Sequence, residues 1–480
     1  MSAALAEKAR AGTHAMLATR MLAMAVSFIS ITVYARLVGP GDYGVWAIAS
    51  LAFGIVTLLR ELGLTAAIVQ SPELHAEQKD TYFWTSVAVS LAGAGLLALA
   101  APLLALLYAA PILRPVLWVC CLALLLNGVA LVPAALLRRR LEYRRLALLE
   151  CGGLLCGLAV GVTGALAWRD VWALVAGHVA TAAWTAASAW LLCGWTPGAL
   201  RAPARLDHAF NLQLAAYNCL NFISNNACVA LGHRLGSTAD LGYLNRAQQL
   251  YAVGYLSFLS PITEVGYSLL CRLRNEAAYR DAYIALARRV AVIAMPYAVL
   301  LGLLAEDLVV ALLGPAWRPA TLVLAVLAPA VLGGAYIGLF AQLMMSQARG
   351  RELRRFAVAD LALRASGALL GSPFGIVGMA AGFSAAQLLL STPLMAWMCA
   401  RRGPVGIRHQ LEAMWPGVLL AAVVAGATEL GLRGAAALGL AAGWPRLFLV
   451  GAAAVLAWVV LGFLLVPARD AILGRGLARA

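Results

Sequence analysis

ARLVGPGDYG (residues 35–44) closes one long apolar run and opens the next. HRLGSTADLG (233–242) does the same later in the chain. Arg36, Leu37, Asp42 and Gly44 match Arg234, Leu235, Asp240 and Gly242 at one constant offset of 198. A turn that carries Arg, Asp and Gly twice in the same register marks a structural unit used twice. Two further pairs keep the order. PILRP (111–115) pairs with PAWRP (315–319) at an offset of 204, and RRLEYRRLA (139–147) pairs with RGRELRRFA (349–357) at 210. In the last pair Arg139, Glu142, Arg144, Arg145 and Ala147 match Arg349, Glu352, Arg354, Arg355 and Ala357. Arg-rich loops can resemble one another by chance, but three matches in one order, with offsets that drift as loop insertions produce, argue for a repeat.

What the repeat is built from follows from composition. The 480 residues are 63% hydrophobic and 12% charged, with a mean hydropathy of +0.86. Soluble chains are about 45–50% apolar and about 25% charged. A chain this apolar precipitates unless most of its surface meets lipid, so it is a polytopic membrane protein. MSAALAEKARAGTHAML at the start has no short apolar core followed by a cleavage site, and no removable signal peptide is expected. The net charge of +15 does not point to nucleic acid, because the basic residues lie in short loops rather than on one face or tail. The nine cysteines form no CxxC pair and no Cys/His cluster. No metal site is expected, and they read as small buried hydrophobes.

A spanning helix needs about 20 mainly apolar residues. Runs near 15–37, 44–70, 82–108, 115–137, 147–168, 171–193, 209–232, 244–270, 290–313, 320–345, 356–371, 376–399, 413–432 and 446–466 meet that length, the eleventh only barely. With the N-terminus in the cytoplasm, about 25 of the 36 Lys and Arg fall on the cytoplasmic side, as the positive-inside rule requires. Arg138-Arg139-Arg140, Arg144-Arg145, Arg288-Arg289, Arg354-Arg355 and Arg401-Arg402 are all on that side. The expectation is an all-α integral membrane protein of about 14 transmembrane helices. Spans 1–6 (1–208) match spans 7–12 (209–400), and 401–480 adds spans 13 and 14 with a cytoplasmic tail. Six is even, so both halves enter the membrane the same way and are related by a pseudo-twofold along the membrane normal.

Polar residues inside spans are costly and usually face an interior. Span 1 carries Arg20, Ser27, Ser30 and Tyr34 on one helical face, and span 7 carries Asn211, Asn218, Asn221 and Asn225 on one face. The offset of 198 sets Asn218 opposite Arg20 and Asn225 opposite Ser27. A polar cavity along the pseudo-twofold accounts for matched stripes; asparagine used as interhelical glue is the alternative. Arg60 and Glu61 belong to span 2. Arg246, Gln248 and Gln249 lie near one end of span 8, where Arg246 can also snorkel to the interface, and Glu264 lies near the other. Asp360 and Arg364 in span 11 are spaced i, i+4 and can satisfy each other. Glu150 is the repeat counterpart of Asp360. His178 is a lone intramembrane histidine and reads as packed.

ARLVGPGDYGVWAIAS (35–50), ELGLTAAIVQ (61–70), LGYLNRAQQL (241–250) and CRLRNEAAYRDAY (271–283) resemble the oligosaccharide flippases of the polysaccharide-transporter family. That family belongs to the multidrug/oligosaccharidyl-lipid/polysaccharide exporter superfamily. The resemblance runs over nearly the whole chain and implies two six-helix lobes around a central cavity. It implies a transporter, not an enzyme. Its partners would be membrane lipids, an undecaprenyl-diphosphate-linked oligosaccharide and a polysaccharide polymerase or export machinery, at a bacterial inner membrane with both termini cytoplasmic. For such a substrate Arg20, Arg60 and Arg246 are the candidates for the diphosphate, since a guanidinium donates to phosphate through a planar fork. Asn218, Asn221 and Asn225 are the candidates for sugar hydroxyls. No cofactor is expected; relatives couple to proton or sodium gradients, and Glu61, Glu264 and Asp360 are the acidic candidates here. A peptidoglycan-precursor flippase or a multidrug–cation antiporter shares the architecture. A membrane glycosyltransferase or polymerase is the reading from another class, but the chain has no sizeable loop to carry its catalytic groups.

Overall fold

The computed structural model describes residues 21–61, 64–70, 74–199, 209–254, 259–273 and 275–464, and no strand occurs among them. Contacts divide the chain into two units, Met1–Cys219 with Gly236–Gly242, and Leu220–Leu235 with Tyr243–Ala480.

The first unit is built from α1 (Met21–Leu37), α2 (Pro40–Glu61), α3 (Leu64–Gln70), α4 (Ala76–Leu107), α5 (Leu113–Arg139), α6 (Tyr143–Ala167), α7 (Val171–Cys193) and the start of α8 (Ala209–Asn225). Leu64, Ile68, Phe83, Val132, Leu136 and Leu149 are among its buried core residues. On α4, Leu96, Leu99, Leu103 and Leu106 are 67–80% exposed, a leucine face that only lipid can cover without penalty.

The second unit continues through α9 (Ala227–Ala230), α10 (Thr238–Gly254), α11 (Ser260–Leu270), α12 (Glu276–Leu303), α13 (Ala305–Leu312), α14 (Ala320–Leu327), α15 (Ala330–Ser346), α16 (Gly350–Gly371), α17 (Gly375–Ala386), α18 (Thr392–Arg402), α19 (Ile407–Ala437) and α20 (Trp444–Leu464). Its last two helices, outside the repeat, are held on α12 and α13. Trp458 Nε1 donates to the Val292 carbonyl at 3.1 Å. The buried Asp307 carboxylate accepts from the Gly443 N–H at 3.2 Å and pairs with Arg446 Nε at 3.1 Å.

Every expected apolar run is helical where it is described, but several are divided. By length and composition seven described helical stretches can cross a membrane, the run of α16 to α18 counted as one, or eight if α14 and α15 form one span bent by 43°. Pro329, which has no N–H to donate, caps α15 at that bend. Span 9 is displaced: α12 starts at Glu276 rather than 290, and the end of the expected run forms the separate α13. An apolar window discards Arg288 and Arg289, yet both lie on the helix, whose start is set by the Asn275 side chain accepting from the Ala277 and Ala278 N–H groups at 2.8 and 3.3 Å. The short eleventh run likewise extends back through its arginines to Gly350, giving 22 residues.

Two features are alike in the two units. In the first unit α6 and α7 cross at glycines: a Cβ on Gly157 would lie 2.7 Å from the Gly177 carbonyl oxygen. In the second, α16 and α17 cross likewise, and a Cβ on Gly367 would lie 2.4 Å from the Gly382 oxygen. Gly157 and Gly161 precede Gly367 and Gly371 by 210, the offset of the arginine segments. Those segments also act alike. Arg140 and Arg145 donate to the terminal α7 carbonyls of Cys193 and Leu192 at 2.9 and 3.1 Å; Arg349 donates to Met398 O in the last turn of α18 at 2.8 Å. The α7 carbonyls are among those that lack intrahelical partners, and Met398 lies four residues before the end of α18.

Candidate substrate-binding residues

The first-unit candidates lie at the end of α2. Arg60 is 5% exposed, and its Nε and Nη1 atoms are buried without a hydrogen-bond partner among the described residues. Its Nη2 approaches Glu61 Oε1 only to 3.8 Å, and Glu61 itself is more than half exposed. Adjacent residues on a helix point apart, so Glu61 cannot saturate this guanidinium. A buried Arg with idle donors is a costly arrangement, and its chemistry is that of a group able to take an anion. Arg20 lies outside the described residues. His178 is wedged between Trp46 and Phe53, with ring centroids 5.4 and 4.5 Å away, and is packed edge-on against both.

The second-unit candidates form two groups. On α10, Arg246 is 4% exposed; its Nη1 donates to Gln249 Oε1, and Gln249 Nε2 donates to Asn245 Oδ1 at 3.2 Å. Glu264 on α11 is exposed.

The other group joins α8 to α16. Asp360 and Arg364 are each 1% exposed, and Arg364 Nε donates to Asp360 Oδ1 at 2.7 Å. Ser224, buried, donates to Asp360 Oδ2 at 2.8 Å. Arg364 Nη1 donates to Asn225 Oδ1 at 2.7 Å, and its guanidinium lies 5.6 Å over the Phe383 ring. Both carboxylate oxygens are thereby engaged and the charge is neutralised, as a buried ion pair requires. Asp360 is the coupling candidate with the least freedom to bind an ion. Of the asparagines on α8, Asn218 and Asn225 are exposed and Asn221 is half-buried.

Spacing along α16 reveals the Asp360–Arg364 pair; it does not reveal Ser224 or the use of Asn225, 136 and 139 residues away in the chain. No sequence pattern marks them: the break at which α8 ends at Asn225 and a one-turn helix follows Asn226 is visible only in the fold. A buried glutamine beside a π-turn on the span after α16, Gln387, was likewise missed. Its Nε2 donates to the Ala330 carbonyl at 3.0 Å.

Residues 33–322 match the family described as polysaccharide biosynthesis protein. The chain is 24% identical over 307 residues to the succinoglycan biosynthesis transport protein ExoT of Rhizobium meliloti, covering 63% of this chain and 62% of that protein. It is 22% identical over 396 residues to the lipopolysaccharide biosynthesis protein WzxC of Escherichia coli, covering 80% of each. Among solved structures, the lipid II flippase MurJ in an inward closed conformation superposes with a TM-score of 0.71 at 12% identity, over 94% of this chain and 98% of that one. An outward-facing multidrug resistance MATE transporter gives 0.52 at 14% identity, over 81% and 95%. At those identities the structural likeness speaks for the fold alone, an all-helical, multi-pass membrane fold.

Proposed function

The chain belongs to the polysaccharide biosynthesis protein family, and from that premise we propose that it is a flippase for lipid-linked oligosaccharide. It carries undecaprenyl-diphosphate-linked repeat units from the cytoplasmic to the periplasmic leaflet of a bacterial inner membrane, for a cell-surface polysaccharide. The lobes 1–208 and 209–400 rock to give alternating access, both termini are cytoplasmic, and a polysaccharide polymerase or export machinery receives the product. The reading is supported by relatives whose names are those of a transport protein for succinoglycan and a protein of lipopolysaccharide biosynthesis.

The observation that carries it is Arg60. A guanidinium buried in a membrane span with two nitrogens idle is costly unless a ligand completes it. A diphosphate does so with bidentate, charge-assisted bonds while the lipid tail remains in the bilayer. Arg20 and Arg246 complete the diphosphate contacts in this reading, and Asn218, Asn221 and Asn225 meet the sugar. Charge-assisted hydrogen bonds contribute about 1.5–3 kcal/mol each, so loss of two in Arg60→Ala is expected to slow flipping by at least about 100-fold. The assay is protection of a fluorescent undecaprenyl-diphosphate-linked oligosaccharide from an external reductant in proteoliposomes, with protein level scored separately. Wild-type rates from Arg60→Ala remove the diphosphate assignment. Recovered lipid with altered sugar length points instead to a transferase. Faster movement of a peptidoglycan precursor than of the oligosaccharide points to that substrate.

Coupling is assigned to Glu61, whose carboxylate is exposed beside Arg60, ahead of Glu264 and of the neutralised Asp360. Glu61→Gln is expected to abolish acceleration by an imposed proton or sodium gradient while leaving exchange without a gradient in place. A gradient response equal to wild type excludes it.

A further inference from the structure

The polar cluster at the end of α8 has no counterpart in the first repeat. At the offsets of 198 and 210, Ser224, Asn225, Asp360 and Arg364 correspond to Val26, Ser27, Glu150 and Leu154. Val26 is buried and apolar. Glu150 is exposed and pairs with Arg138 at 2.9 Å on the surface. One half of a duplicated fold therefore buries an ion pair where the other half has an exposed carboxylate and a half-buried leucine, and a buried pair is weak evidence of stabilisation.

The chain of contacts ends on an exposed group. Ser224 holds one oxygen of Asp360, Asp360 holds Arg364 Nε, and Arg364 Nη1 reaches Asn225. A guanidinium only donates, so the Asn225 oxygen must face it. The amide orientation is thus dictated, and Nδ2, with no partner among the described residues, is left to donate elsewhere from a residue that is itself exposed. The adjacent positive charge also draws electrons from the amide oxygen and strengthens the outward N–H donors.

We propose that Asp360 and Arg364 are positioning residues for Asn225, fixing it as a donor that recognises an sp² acceptor oxygen on the sugar, the acyl carbonyl or carboxylate of a substituted hexose. The inference rests on the flippase reading. A freely rotating asparagine offers either a donor or an acceptor and discriminates little between sugars. One locked by an arginine offers donors alone, and a site built to pair with a carbonyl disfavours substrates that lack it.

Two probes in proteoliposomes test this: undecaprenyl-diphosphate-N-acetylglucosamine, which carries an acyl carbonyl, and undecaprenyl-diphosphate-glucose, which does not. The measured quantity is the ratio of kcat/KM between them. Asn225→Asp removes the donors at constant shape and is expected to lower the ratio about tenfold, mainly through KM for the acylated probe. The charge-neutral pair Asp360→Asn with Arg364→Gln leaves no uncompensated buried charge, so it folds, and it is expected to lower the ratio to the same extent. Adding Asn225→Asp to that pair should change it no further, because one contact cannot be lost twice. A ratio at the wild-type value in either variant, equal losses on both probes, or effects that multiply overturn the proposal. If the wild-type protein moves neither probe, the flippase reading fails and takes this inference with it.

Discussion

Gly44→Val and Gly242→Val are each expected to cost at least about 3 kcal/mol, seen as a lower melting temperature in detergent and a smaller monodisperse fraction. A Cβ on Gly44 would lie 1.7 Å from the Thr238 carbonyl oxygen, and one on Gly242 would lie 1.9 Å from that of Pro40. Overfilling a packed site usually costs about 1–3 kcal/mol when side chains can yield. Here the obstacle is backbone, at the start of α2 in one case and of α10 in the other. Both contacts fall within the same unit, and they are one contact seen twice: Gly44 and Gly242 are 198 apart, and so are Pro40 and Thr238. Two copies of one turn meet about a local twofold, glycine against carbonyl. Gly44→Ala already carries the offending carbon and should lose nearly as much. Gly95→Ala, with nothing within 4 Å of the added carbon, is the control and should be neutral or slightly stabilising, because alanine favours a helix interior. A wild-type melting temperature for Gly44→Ala would mean that the turns do not approach this closely.

Asp360→Ala should be more damaging still, by about 3–5 kcal/mol, because it strands the buried Arg364 guanidinium. Replacing both partners, Asp360→Leu with Arg364→Met, should restore most of the loss, since apolar groups of similar volume need no partner. Removal of the repeat counterpart, Glu150→Ala, should change stability by under about 1 kcal/mol: the Arg138–Glu150 pair is roughly half exposed on each side, and such pairs are worth little. Thermal unfolding of the four proteins separates the cases. Equal effects at 150 and 360 would contradict the burial difference on which the asymmetry between repeats rests.

Residues close in sequence were read well. The i, i+4 pairing of Asp360 with Arg364 follows from helical geometry and is present. His178 reads as a packed histidine and stacks edge-on against two rings. Helix starts were read poorly where charge enters the helix, as at Glu276 and Gly350, because hydropathy measures what lipid accepts and not where hydrogen bonding begins. Arg60 was singled out for its charge in a span, but its idle nitrogens became visible only from the packing around it.

Composition, the spacing of apolar runs, the side on which arginines fall and the recurrence of one turn at a fixed offset are properties of the chain taken in order. They were enough to read a helical, multi-pass membrane protein, and they are what suggest that it is twice-built. Which helix faces which is set by side-chain volume and backbone clearance between segments far apart in the chain. No periodicity encodes that Ser224 meets Asp360, that Asn225 yields its oxygen to Arg364, or that Gly44 admits the carbonyl of Thr238. Those contacts arise only when packing brings the surfaces together, and they set Asn225, held in place by an arginine, apart from Asn218 and Asn221 on the same helix.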